Sequence, residues 1–284
     1  MATFDDVLLT VDFDRTLTGP DSKIPQRNLD AIVYFTENGG SFTVNTGRSV
    51  NTMGSLLQTI PVNAPFLLYN GSAAYDSKTE TLSQIRRIDL PVWETMAKVH
   101  AAFPELNLEI QSIHTHYLYD CDAAYERFYD GVGWHHTAVT PGMDIGPFMK
   151  FSLFGQARDI TVAHFFHGSE AEIRRMDEAE AWLRKEFGNV AEVFRAAPRI
   201  LDVHAKGCSK LNCARDLQAA LGKKILVCVG DAENDLSMLD GADYSYCPAD
   251  GVVADRYETV CSCGDGAVAD VIYEKIPAIV QNNP

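Results

Sequence analysis

Four short segments of this 284-residue chain place acids, hydroxyls and cations where catalysis could use them. The first is Asp12-Phe13-Asp14-Arg15-Thr16, directly after the apolar run Val7 to Val11. Two residues apart on an extended chain, the carboxylates of Asp12 and Asp14 would point the same way; at a strand end the chain turns and their directions can differ. One acid can then bind a metal and attack while the other carries a proton. Taken alone, such a pair reads more simply as a solvated acidic turn. The second segment is Asn45-Thr46-Gly47-Arg48-Ser49, ahead of a helical pattern. A hydroxyl, a glycine and an arginine at a helix start suit an anion, because free backbone N–H groups and the helix dipole both favour negative charge. An ordinary cap with Ser49 as the N-cap residue is the alternative. The third segment, Lys206-Gly207-Cys208-Ser209-Lys210, also precedes a helix, and its lysine is either a phosphoryl partner or a surface charge. The fourth, Gly230-Asp231-Ala232-Glu233-Asn234-Asp235, follows the apolar run Ile225 to Val229 and adds carboxylates and an amide. The four together make an oxygen-rich set of the kind Mg²⁺ prefers, with cations able to neutralise a phosphoryl group.

The elements that must position these segments alternate. Val7 to Val11 reads as a strand buried on both faces, and Leu29, Ile32 and Val33 recur at helical spacing until Gly39-Gly40. Ser41 to Val44 is a second strand; Met53, Leu56, Leu57 and Ile60 form one helical face; Phe66 to Tyr69 is a third strand. Near the C-terminus a helix through Ala214, Leu217 and Leu221 precedes the strand Ile225 to Val229. This predicts an α/β fold: a doubly wound, Rossmann-like parallel-sheet core built from residues 1–87 and 198–284. Residues 88–197 have a different texture. A helix, a strand near Leu106 to Ile113, a strand at Phe148 to Phe154, a charged helix and a last strand before Pro198 predict an inserted α+β cap domain. Chain near 86–90 and 196–199 would link it to the core.

In this order, the four segments resemble the four motifs of the haloacid-dehalogenase-like phosphohydrolases: DxDxT, a Thr or Ser ending the second strand, a Lys, and GDxxND. The insert resembles the α/β cap of subfamily IIB, the Cof-type phosphatases, as do Asn70-Gly71, the run "KGCSK" and the closing "DGAVADVI". The resemblance implies a Mg²⁺-dependent phosphatase with Asp12 as nucleophile. Asp14 would protonate the leaving alcohol and then deprotonate water. Thr46, Gly47, Lys210 and Asn234 would hold the phosphoryl group, and Arg48 and Asn70 would contact substrate. Mg²⁺ would be bound by Asp12, the backbone carbonyl of Asp14, and Asp231, with Asp235 ligating it or orienting its water. Two departures stand out: Arg15 where the family usually has glycine, and Pro248-Ala249 where it has an Asn-Ala pair. The cap is rich in His114, His116, Tyr117, Trp134, His135 and His136, which read as core or surface aromatics ahead of substrate contacts. A phosphomutase of the same superfamily is the competing enzyme. A receiver domain, built on a similar acidic pocket, is about half this length and lacks the insert, and a non-catalytic phosphate-binding protein would normally lose Asp12 or Asp14, both of which are present.

Composition narrows the partners. Apolar residues make up 46% and charged residues 22%, which fits a folded globular chain. A net charge of −15 disfavours nucleic acid and anionic membranes, leaving small phosphorylated metabolites, with sugar phosphates favoured, as substrates. Apolar runs are strand-sized, well short of the roughly 20 residues of a membrane span. An acidic start without a basic signal region, and seven scattered cysteines, suggest a reducing cytoplasm.

Overall fold

A computed structural model describes residues 3–113, 115–155 and 168–282. Along the chain run β1 (Val7–Val11), α1 (Gln26–Glu37), β2 (Ser41–Val44), the one-turn helices α2 (Val50–Met53) and α3 (Leu56–Thr59), then β3 (Phe66–Leu68), β4 (Ala73–Asp76) and β5 (Thr81–Ser83). Next come α4 (Val92–Ala102), β6 (Asn107–Ser112), β7 (His116–Tyr119), α5 (Ala123–Val132), β8 (His136–Val139), β9 (Phe148–Phe154), α6 (Glu170–Phe187), β10 (Ala191–Ala197) and β11 (Ile200–Ala205). The chain continues through α7 (Lys210–Ala220), β12 (Ile225–Val229), α8 (Leu236–Gly241), β13 (Tyr244–Pro248) and β14 (Glu258–Val260). It forms two compact units, one of Met1–Gly47, Ser55–Gln84 and Ser209–Pro284, the other of Arg48–Gly54 and Ile85–Cys208. No helix among the described residues is long and apolar enough to cross a membrane.

The first unit is the expected α/β core. Its sheet runs β14-β13-β12-β1-β2, and all four pairings are parallel. Leu8, Leu226 and Cys228 of the two central strands pack with Ala214 and Leu217 of α7 and with Met238 and Leu239 of α8. Burial on both faces explains why these strands read as uninterrupted apolar runs. Val11 lies in register with Val229 on one side and Val44 on the other, so the polar residues after three different strands emerge side by side. Two expectations change. β3 meets β2 only through a parallel bridge from Asn45 to Leu67, and then turns into an antiparallel β3-β4-β5 sheet. The single helix expected over Met53 to Ile60 is two one-turn pieces, because Gly54 adopts φ 50°, ψ −128°, outside the helical region.

The second unit holds a six-stranded sheet, β10-β11-β9-β6-β7-β8. Strand alternation divides it into two unlike faces. Leu108, Ile110, Phe151, Leu153, Leu201 and Val203 join a core with Met96 and Val99 of α4 and with Met176, Ala179 and Leu183 of α6. On the other face, register aligns Glu192, His204, Lys150, Gln111, His116 and His136 across all six strands. Asp202, Ser152 and Glu109 form the next row. The sheet runs on to Ala205, beyond the boundary expected at residue 197. Residues 196–199, expected as a linker, include the tight turn of the β10–β11 hairpin, and Arg199 is buried with its guanidinium paired to Glu172 at 2.9 Å.

Candidate active site

Asp12 directly follows β1, and its N–H donates to the Val229 carbonyl at 2.9 Å, so the chain past β1 stays locked to β12. Phe13–Leu17 then forms one wide turn, closed by Leu17 N–H on the Asp12 carbonyl (3.2 Å) and by Thr18 N–H on that of Phe13 (3.0 Å). Phe13 and Leu17 anchor the turn in the core. Within it Asp12 is buried and Asp14 half-buried, so the two carboxylates do occupy different environments. Two residues past β12, the Asp231 carboxylate accepts a hydrogen bond from Thr16 Oγ1 at 2.9 Å. Asp235 Oδ2 accepts from the N–H groups of Asp231 (2.9 Å) and Ala232 (3.1 Å), which folds the loop back on itself. Gly230 makes that fold possible: a Cβ there would lie 2.6 Å from the Cβ of Asp235.

Lys210 opens α7, whose N-cap is Ser209 (Oγ to Asn212 N–H, 3.0 Å). Its Nζ donates to Asp12 Oδ1 at 2.5 Å and to Asp235 Oδ1 at 2.6 Å, and its carbonyl accepts from Asn45 Nδ2 at 2.8 Å. The helix start is seated by Gly71, at φ 90°, where a Cβ would come within 2.4 Å of the Ser209 carbonyl oxygen and 2.8 Å of Cys213 Sγ. Thr46, also buried, donates its N–H to Leu67 (2.9 Å) and accepts from Asn70 N–H (3.0 Å). Asn70 is buried at φ 51°, and a Cβ on Gly47 would sit 3.0 Å from its Oδ1.

The electrostatics follow from burial. Carboxylate oxygens of Asp12, Asp231 and Asp235 all lie within 4.8 Å of one another, and the single ammonium of Lys210 bonds only two of these acids. Burial, with Asp235 and Asp231 beside it, pushes Asp12 well above the usual carboxylate range in spite of Lys210. Burial and then Asp235 push Asp231 up to about 7 against the opposing Thr16 bond and Lys210. Burial pulls Lys210 down, but Asp12 and Asp235 outweigh it and hold the ammonium above its ordinary range. Three buried acids around one cation are short of positive charge, and hard oxygen donors at this spacing fit a divalent ion such as Mg²⁺.

The family model of the haloacid dehalogenase-like hydrolases matches residues 9–253 and spans all four chemical segments. The chain belongs to this family. Among curated relatives of this hydrolase is an HMP-PP phosphatase from Escherichia coli O157:H7, 24% identical over 248 residues, covering 82% of this chain and 80% of the relative. A haloacid dehalogenase-like hydrolase structure from Bacteroides thetaiotaomicron matches with a TM-score of 0.75 at 18% identity, over 93% of this chain and 97% of that one. The structure of a HAD subclass IIB sugar phosphatase matches with a TM-score of 0.73 at 18% identity, over 95% and 99% of the two chains. At these identities the structural likeness establishes the fold.

Of the site residues expected in this hydrolase, Asp12, Lys210, Asp231 and Asp235 converge, with Thr46, Gly47 and Asn70 linked to each other near Lys210 through Asn45. Asp14 and Asn234 lie half-buried in the turns that carry Asp12 and Asp235. Arg48 falls in the second unit, where its Nη1 bonds the Thr52 carbonyl at 3.2 Å. At the helix start expected after Thr46, Ser49 is the N-cap of α2 in a capping box with Thr52, the cap alternative, and α2 has four residues, too few for an appreciable dipole. Arg15 sits exposed at φ 60°, a left-handed position natural to glycine. After Pro248-Ala249 the chain still braces the site, with Val253 N–H on the Asp231 carbonyl at 3.2 Å. Sequence reasoning missed the Thr16–Asp231 bond, the Asn45 bridge to Lys210 and the steric need for Gly71; the only signal was that each adjoins a motif residue. In the cap, His116 is buried and Trp134 packs on Phe128 and Tyr129, as core aromatics do, while His114 lies outside the described residues.

Proposed function

We propose that this hydrolase is a Mg²⁺-dependent phosphatase that transfers the phosphoryl group of a small phosphorylated metabolite to Asp12. One observation carries the reading: Lys210 holds Asp12 and Asp235 from one side while the oxygens of Asp12, Asp231 and Asp235 cluster within 4.8 Å. Asp12, Asp231 and Asp235, with the Asp14 carbonyl, would hold the ion. When bound, Mg²⁺ supplies the positive charge that lets an anionic nucleophile meet an anionic phosphate.

The chain's own residues then divide the work. An Asp12 carboxylate oxygen attacks phosphorus as the bond to the leaving oxygen breaks, and the protonated Asp14 carboxyl gives that oxygen its proton. Asp14, now a carboxylate, takes a proton from the water that attacks the phosphoryl-aspartate, releasing inorganic phosphate and restoring Asp12. Lys210 and the Thr46–Gly47 turn neutralise and hold phosphoryl oxygens. Thr16 and the N–H groups of Asp231 and Ala232 keep the acids aimed without drawing on substrate. A carboxylate nucleophile serves hydrolysis and a mutase alike; hydrolysis needs only water as the second acceptor, whereas a mutase must also present an acceptor hydroxyl. Seven cysteines in the thiol form support a reducing compartment, and the acidic chain repels polyanions, which favours sugar phosphates and similar metabolites over nucleic acid.

Phosphate release from a panel of phosphorylated metabolites, with and without chelator, tests this. Activity should vanish on chelation and return with Mg²⁺ more fully than with Ca²⁺, whose looser coordination suits in-line transfer poorly. Turnover that survives exhaustive chelation would refute the metal assignment.

A further inference from the structure

Within the first unit, the wide turn that carries Asp14 is held by two buried side chains that lie outside the four chemical segments. Thr18 is 1% exposed, and Asn28, in the first turn of α1, is 0% exposed. Thr18 Oγ1 accepts from the Arg15 N–H at 3.1 Å and donates to the Phe13 carbonyl at 3.2 Å. These two groups belong to the two peptide units that flank Asp14, so one hydroxyl fixes the peptide plane on either side of that residue. The Thr18 N–H also donates to the Phe13 carbonyl, at 3.0 Å. The carbonyl of that same Leu17–Thr18 peptide accepts from Asn28 Nδ2 at 3.0 Å. Asn28 Oδ1 accepts in turn from the Ala269 N–H at 3.0 Å, a donor it shares with the Gly266 carbonyl at 2.9 Å. Gly266, at φ 95°, allows this approach, since a Cβ there would crowd Asn28 Oδ1 at 3.3 Å and Arg27 Cδ at 3.1 Å. Arg27, the neighbour of Asn28 in α1, pairs with Asp270 at 2.5 Å, so α1 and the short helix Ala267–Asp270 are tied twice.

The turn needs such support because its backbone is irregular where Asp14 sits. Asp14 adopts φ −76°, ψ 123° and Arg15 φ 60°, ψ 13°, both outside the helical region. A left-handed arginine persists only where its surroundings over-determine it, and strain of this kind gathers at functional sites. Phe13 and Leu17 anchor the turn by apolar burial, which is non-directional; the Thr18 hydroxyl and the Asn28 amide add direction. Direction is what a proton carrier requires. An acid that protonates a leaving oxygen and later deprotonates water must stay within hydrogen-bond reach of both, and a misplacement of about 1 Å can cost about 100-fold. We propose that Thr18, braced by Asn28, is a positioning residue for the Asp14 carboxyl, acting through the two peptides that flank it. This rests on the reading above that Asp14 carries the proton in both half-reactions.

The test uses the full chain and two esters: p-nitrophenyl phosphate, whose leaving group departs with little protonation, and the best alkyl phosphate of the panel above, whose alkoxide needs a proton to leave. Their kcat/KM values report the phosphorylation of Asp12, the step in which Asp14 is the acid. Thr18→Val, close to isosteric, should lower kcat/KM about thirtyfold for the alkyl ester and less than about threefold for the aryl ester, the pattern of a weakened general acid. Asn28→Leu should show the same bias, at about tenfold for the alkyl ester. Thr18→Ser, which keeps the hydroxyl, should bring the alkyl ester back to within about threefold of wild type. In an Asp14→Asn background, Thr18→Val should add less than about twofold, because the two act through one path. Ile32→Val, a small cavity at a buried position of α1, should lower the melting temperature and leave the ratio of the two esters alone. If either Thr18→Val or Asn28→Leu fails to fold, the other decides. A folded Thr18→Val with the wild-type ratio of the two esters, or full additivity with Asp14→Asn, would overturn the proposal while leaving the phosphatase reading intact. Wild-type protein that hydrolyses no ester, or an Asp14→Asn variant that keeps the wild-type ratio, would overturn the role of Asp14 and the proposal with it.

Discussion

Lys210 donates to Asp12 Oδ1 at 2.5 Å although the two residues are 198 positions apart, and both are buried. The ammonium is thereby fixed against the one carboxylate assigned as nucleophile. Lys210→Met should lower kcat/KM by about 10² or more, the scale of removing one preorganised charge from a developing transition state. It should also leave Asp12 and Asp235 buried without their cation, a loss of about 3 kcal/mol or more. Urea denaturation with and without Mg²⁺ checks the second part: the added ion should return part of the stability. A variant as active and stable as wild type would remove Lys210 from the site.

Gly71→Ala tests how that lysine is placed. At φ 90° a side chain is strained, and its Cβ would meet the Ser209 carbonyl at the start of α7. Destabilisation of about 2 kcal/mol or more is expected, together with a fall in kcat, since Lys210 is the next residue along. Thermal melts and steady-state kinetics on one preparation separate the two effects. Gly131→Ala, with open space around it, is the matched control and should leave kcat unchanged.

Arg15→Gly should act in the opposite sense on stability. A non-glycine residue in the left-handed region costs about 1–2 kcal/mol, partly offset by the chain entropy glycine loses on folding. The expected net gain is about 1 kcal/mol, read as a rise in melting temperature. An unchanged or lower melting temperature would mean that the Arg15 side chain stabilises the turn by as much as its backbone strains it.

The core of the fold was readable because strands buried on both faces appear as unbroken apolar runs, as at Val7–Val11 and Ile225–Val229, and the residues just past them stood out as polar. The convergence of Asp12, Lys210, Asp231 and Asp235 followed from that pattern together with the family resemblance. What periodicity could not reveal was side-chain partnership at long range: Thr16 and Asp231 are 215 residues apart, and nothing local marks their bond. Nor could it show that Ser49 Oγ meets His116 Nε2 in the second unit. The break at Gly54 was hidden by the regular spacing of Met53, Leu56, Leu57 and Ile60, which suits one helix equally well. Pro198 looked like the edge of the insert, when it lies in a hairpin turn whose second strand completes the sheet.

The second unit should show a distinct acid limb in its stability. Burial pushes the Asp202 carboxyl up, but Lys150 Nζ at 2.8 Å and the neighbouring His204 overcome this, and Ser152 Oγ adds a bond at 2.6 Å. The result is a carboxyl well below the ordinary range. Because the folded value is depressed, its stabilisation is fully present above the unfolded value of about 4 and is lost as pH falls through the folded value. Asp202→Asn should therefore flatten the dependence of the urea midpoint on pH below about 4, while lowering the midpoint at neutral pH. Parallel curves for wild type and variant would contradict this assignment.

The central claim is that Asp12 becomes phosphorylated, and the most direct measurement is mass spectrometry of the Asp14→Asn variant, mixed with Mg²⁺ and a turned-over phosphate ester and then quenched in acid. Without Asp14 to activate water, phosphoryl transfer should outrun release, and a phosphoryl group should appear on the peptide containing Asp12. The adduct should be lost when the sample is treated with hydroxylamine, as an acyl phosphate is, and Asp12→Asn should show neither adduct nor turnover. An adduct on another residue, or an Asp12→Asn variant that retains near-normal turnover, would contradict the account.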